Sequence, residues 1–105
     1  MNEINVGFVD GLRGSQILDI RMASGVEPGM AADWEKFANE ASGAVAARKP
    51  SGLIVGLAFI NGDFPTFDVD EVLVHRAYRD QGVRQRIVSA IMQTAIECYK
   101  QPAAE

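Results

Sequence analysis

Val72-Leu73-Val74-His75-Arg76-Ala77-Tyr78-Arg79-Asp80-Gln81-Gly82-Val83-Arg84-Gln85-Arg86 opens the stretch, continuing to Lys100, that decides how this chain folds. Val72, Leu73 and Val74 form a short run of strand-favouring apolar residues. Arg79-Asp80-Gln81-Gly82 reads as a turn with a single glycine. From there Val83, Ile87, Ile91, Ala95 and Cys98 recur at helical spacing, with Val88 and Met92 beside them. Gln85, Ser89, Gln93, Glu97 and Lys100 fall on the opposite side. A strand, a tight glycine turn and a long helix together aim unpaired backbone N–H groups at an anion.

Upstream, Ile4–Val9 alternates as a strand, and Asp10-Gly11 follows as a hairpin-type signal. Gln16–Met22 alternates again, with Leu18, Ile20 and Met22 on one face, so the reading is a β-hairpin. Ala23–Gly29 holds two glycines and Pro28 and reads as a loop. Met30–Arg48 reads as one helix on the recurrence of Met30, Trp34, Phe37, Ala41, Ala44 and Arg48, with Gly43 as a weak point near its end. Trp34 and Phe37 lie on its buried stripe, where core packing takes precedence over a ligand surface. Leu53–Ile60 is a near-continuous apolar run, as in a strand covered on both faces. Asn61-Gly62 is the hairpin turn that follows, and Pro65 places the return at an edge. Asp68–His75 then pairs back antiparallel. The expected fold class is α+β: a mainly antiparallel sheet with two helices, in the order β-β-α-β-β-α.

One hundred and five residues make a single domain, residues 1–105, with enough surface to bury for one core. Hydrophobic residues are 48% and charged residues 23%, an ordinary globular profile. A net charge of −4 argues against broad nucleic-acid binding, which needs a basic face. The lone Cys98 permits no internal disulfide, no signal peptide is visible, and no run approaches a membrane span. The expectation is a cytoplasmic protein. His75 is the only histidine, which excludes a histidine-based metal cluster, and no metal site is expected.

The strand followed by Arg79-x-x-Gly82-x and a helix resembles the acyl-CoA-binding signature of the GNAT N-acetyltransferases: Arg or Gln, two residues, Gly, one residue, then Gly or Ala. Val72–Tyr78 resembles that family's fourth strand and its exit, and the likeness covers roughly residues 52–98. Arg84 departs from the pattern by standing where the family has Gly or Ala. The resemblance implies acetyl-CoA as co-substrate. Its pyrophosphate would lie at Arg79, Gln81, Gly82 and Val83, and its pantetheine arm would bond the backbone of Leu73, Val74 and His75. Arg84 either adds charge to the phosphate site or fills the space a smaller residue leaves open. The bland alternative is that Arg76, Arg79, Arg84 and Arg86 form an ordinary basic surface cluster.

Acetylating an amine requires a base for the amine and an acid for the departing thiolate. Glu71 and His75 are the candidate bases, read as sharing one face of the strand, with Asp68 and Asp70 as alternatives and Tyr78 and Tyr99 as candidate acids. The acceptor implied is an amine on a small molecule or a protein lysine. Domains of the family continue past this helix with a further strand, a helix and a hairpin. Two expectations follow. A second copy supplies the missing wall as a homodimer, its exposed strand edge favouring association. Alternatively the chain is a catalytically inactive binding protein, such as a phage-encoded inhibitor of a host defence protein, acting through its acidic surface.

Overall fold

The computed structural model describes residues 3–63 and 66–100, with backbone only for 98–100. The expectations for Phe64-Pro65, for the side chains of Cys98 and Tyr99 and for the tail after Lys100 concern residues outside these. The order is β1 (Asn5–Val9), α1 (Gly14–Ser24), α2 (Ala31–Glu40), β2 (Gly43–Arg48), β3 (Ile54–Asp63), β4 (Thr66–Val69), β5 (Leu73–Val74), a 3-10 helix over Arg76–Gln81, and α3 (Val83–Lys100). All pairings are antiparallel, in the order β1-β2-β3-β4, with β5 also on β3. The α+β class and the antiparallel sheet hold, but the expected β-β-α-β-β-α order does not.

Two elements differ. Residues 16–22 are helical, not the second strand of a hairpin. Their apolar positions satisfy both periods, and the helical one wins because Ile17, Ile20, Arg21 and Ser24 then share one buried face. Local bonds close the helix at both ends. Gln16 Oε1 accepts from the Arg13 N–H at 2.9 Å. Beyond Ser24, Gly25 adopts a left-handed φ of 86°, and the Gly25 and Val26 N–H groups donate back to Met22 O and Arg21 O, a Schellman ending.

The expected helix over 30–48 ends at Glu40, and Gly43–Arg48 is a strand. Alanine favours helices, but Ala44–Ala47 lies between β1 and β3 with helices on both faces, and all four residues are buried. Burial of small side chains overrides local propensity there. Asn61-Gly62 stays within the β3–β4 ladder, opposite Asp68 and Phe67, and Asp63 pairs with Thr66, so the chain reverses later than expected.

Alternation along β2 and β3 divides the core in two. Val45, Ala47, Ala58 and Ile60 face α3, meeting Val83, Ile87 and Ile91. Ala44, Ala46, Leu57 and Phe59 face α1 and α2, meeting Leu12, Ile17 and Ile20, with Trp34 and Phe37 packed against them. Trp34 and Phe37 therefore pack on the core, as expected. Fully burying each large aliphatic side chain contributes about 1.5–3 kcal/mol. Gly56 is the close-approach point: a Cβ there would stand 2.7 Å from both Ile87 Cδ1 and Val83 Cγ1. Among the described residues no helix is long and apolar enough to cross a membrane.

Candidate functional site

Opposite β3 the chain makes β4, breaks, and resumes as β5. Ile60 pairs with Val69 and Leu57 with Leu73, so three steps along β3 face four along the outer strand. The extra residue makes a bulge across Asp70–Val72. Asp70 N donates to Phe59 O and His75 N to Val55 O, each at 2.9 Å, so these groups point inward to β3. By ladder alternation the backbone N–H and C=O of Val74 point outward. Among the described residues no strand pairs with that side of β5.

After β5 the Nδ1 of His75 accepts the Ala77 N–H at 3.0 Å and caps the 3-10 helix. With Nδ1 engaged as an acceptor, Nε2 is the ring nitrogen left for any other partner. The arginines that follow turn back to α1. Arg76 Nε donates to Ala23 O at 3.2 Å, and Arg79 Nη2 donates to Ser24 O at 2.6 Å. These carbonyls end a helix, where acceptors lack partners and a cation is favoured. Gly82, with φ 70°, then closes the 3-10 helix in the left-handed region, a conformation glycine adopts without strain. Arg86 N donates to Gly82 O at 3.0 Å, placing the N–H groups of Val83, Arg84 and Gln85 in the first turn of α3.

Two cavities flank the bulge. One, of about 350 Å³, lies between the end of α1, the outer strand and the start of α3, lined in part by Val72, Val74, Arg79 and Arg84. The other, of about 280 Å³, lies between α1, α2 and the sheet, lined in part by Arg21, Trp34, Phe37, Phe59 and Asp70. Glu71 and Leu73 line both. Arg21 is 8% exposed; its Nη1 donates to Glu71 Oε1 at 2.6 Å and its Nε to Glu27 O at 2.7 Å. Its guanidinium carbon lies 4.2 Å from the centre of the Trp34 ring. Trp34 is fixed by its indole N–H to Pro28 O at 2.7 Å and by edge contact with Phe37, which meets Phe59 edge-on in turn.

Of the residues singled out from sequence, Glu71, Leu73, Val74, Arg79 and Arg84 share the first cavity. Gln81 and Gly82 border a different, shallow groove on the β1 side of α3, and the Val83 side chain is wholly buried. His75 lines neither cavity, and neither it nor Glu71 lies within β5. Asp70 lines the second cavity and accepts from Asn61 Nδ2, while Asp68 lies in β4 opposite Asn61. Sequence reading missed Arg21. Its signal was an arginine on the same helical face as Ile17, Ile20 and Ser24, where a buried charge needs a partner. Among the described residues no group of acidic, cysteine or histidine side chains could hold a metal.

No family model matches the chain, and no curated protein resembles it in sequence. Solved structures do. A probable acetyltransferase of unknown function from methicillin-resistant Staphylococcus aureus superposes with TM-score 0.77 at 19% identity, over 90% of this chain and 71% of that one. The GNAT family N-acetyltransferase YhbS from Escherichia coli, solved with CoA, gives 0.72 at 14% identity, over 92% of this chain and 58% of that one. A GNAT family acetyltransferase from Brucella melitensis, solved with acetyl-CoA, gives 0.70 at 10% identity, over 93% of this chain and 71% of that one. At such identities what is shared is architecture, and the open antiparallel sheet with its helices is the fold of the GNAT acetyltransferases.

Proposed function

We propose that the chain is an N-acyltransferase that moves an acetyl group from acetyl-CoA to an amine. The observation that carries this reading is the meeting of two cavities at Glu71 and Leu73 on an open strand edge. One offers outward main-chain groups and Arg84; the other offers a space walled by aromatic rings. The residues present fit an acyl-CoA. The outward backbone of Val74 suits an extended amide-bearing arm, and the first turn of α3 with Arg84 suits a pyrophosphate. Leu73 and His75 hold the strand in place through inward bonds, and Gly82 sets where α3 begins.

In the transfer, the amine nitrogen attacks the thioester carbonyl carbon. A C–N bond forms, the C–S bond breaks, the sulfur leaves as thiolate and the nitrogen gives up a proton. Glu71 is the acceptor for that proton: Arg21 holds Oε1, and Oε2 has no partner among the described residues. His75, with Nδ1 engaged, acts as a positioning residue for the strand exit.

The test is a calorimetric titration with acetyl-CoA of the wild type and of Arg84→Glu, a change at an exposed position. Saturable binding weakened about tenfold or more by the reversal is expected; no binding at millimolar ligand overturns the reading. A binding protein without turnover is the second reading, supported by Arg79, whose Nη2 is held by Ser24 O. Acetyl-CoA binding with no thiol release across an amine panel would favour it. The unpaired side of the outer strand and the exposed stripe Val88, Met92 and Ile96 on α3 support self-association as a homodimer.

A further inference from the structure

The 280 Å³ cavity has a wall of unusual chemistry. Arg21 is nine-tenths buried, yet its Nη2 makes no hydrogen bond among the described residues, Nε and Nη1 being the nitrogens engaged. Among the described residues no buried side-chain nitrogen or oxygen lacks a partner, so Nη2 keeps some exposure, and Arg21 lines this cavity. In the same lining, Glu71 and Asp70 each have one oxygen engaged, by Arg21 and by Asn61, and one without a partner among the described residues. A donor cation and two acceptor carboxylates therefore line one cavity, and Trp34, Phe37 and Phe59 form its aromatic wall.

We infer that this cavity binds a free α-amino acid with an apolar or aromatic side chain. Its carboxylate would lie on Arg21 Nη2, its ammonium on the free oxygens of Glu71 and Asp70, and its side chain against the aromatic wall. An α-amino acid carries its two charged groups on one carbon, and the Arg21–Glu71 pair presents the complementary charges 2.6 Å apart. A simple amine leaves the arginine donor unpaired, and a simple carboxylic acid sets its charge against two carboxylates. The volume suits one small molecule. That this ligand is the acetyl acceptor rests on the acyltransfer reading; that it binds does not.

Trp34 is the only tryptophan, so its fluorescence reports on this cavity. The full chain would be titrated with L-phenylalanine, with phenethylamine and with hydrocinnamate, each with and without acetyl-CoA, and calorimetry would run in parallel. Phenylalanine is expected to bind saturably, about tenfold or more tighter than either half-ligand. Arg21→Lys, which keeps the charge and loses the planar fork, is expected to reduce that preference for the carboxylate. If the variant fails to fold, the ligand series on the wild type decides alone. Phenethylamine binding as tightly as phenylalanine overturns the inference, as does the absence of any binding by either method. Acetyl-CoA binding without amino-acid binding sinks this inference and leaves the acyltransfer reading intact. Amino-acid binding without acetyl-CoA binding does the reverse.

Discussion

A single hydrogen atom at Gly56 keeps α3 seated on the sheet. Adding a methyl group there drives it to 2.7 Å from the ends of Ile87 and Val83, both of which are buried. Gly56→Ala is therefore expected to lower stability by about 1–3 kcal/mol, the cost of overpacking a filled core. Urea denaturation reads this as a lower midpoint at unchanged slope. Arg21 and Glu71 show a second residue-scale balance. The arginine is deeply buried and the carboxylate side chain is 48% exposed, so the pair is half a core feature and half a surface one. Removing the carboxylate strands a buried cation, whereas removing the arginine releases an acid already in reach of water.

The elements show what local sequence can and cannot specify. The last turn of α1 is held from outside by arginines more than fifty positions away in the chain, at Ala23 O and Ser24 O. Arg79→Met is expected to cost about 1 kcal/mol and to speed amide exchange in the turn around Met22–Ser24, measured by hydrogen–deuterium exchange. Long-range contacts of this kind are invisible in a window of residues. The glycine turn and α3 were legible because Val83, Ile87 and Ile91 recur with one period and no competing one. Residues 16–22 fit two periods, and only the packing of Ile17 and Ile20 on the sheet chooses between them. Ala44–Ala47 was illegible for another reason: nothing in four small residues announces a central strand, and the requirement comes from the helices on either face. At the site, Glu71, Leu73 and Val74 stand close together in the sequence, but Arg21 lies in the segment whose period was ambiguous and its partner Glu71 lies far ahead in the chain.

Across the whole molecule the sheet has one edge at β1 and another at the bulged outer strand, where Val74 turns its main-chain groups outward. The exposed residues Val88, Met92 and Ile96 follow Arg84 along α3, and Arg84 lines the cavity beside that strand. The edge and the stripe are the features on which the homodimer proposal rests. Sedimentation of the wild type is expected to show a dimer, and Met92→Glu a monomer with an unchanged far-ultraviolet spectrum; a monomeric wild type overturns the proposal. The arginine staples between the 3-10 helix and α1 have a further consequence for whatever arrives at the start of α3. Residues 76–82 are already ordered by Arg76, Arg79 and the His75 cap. An incoming anion therefore meets a surface with its backbone frozen in place, and little of the binding energy is lost to organising it.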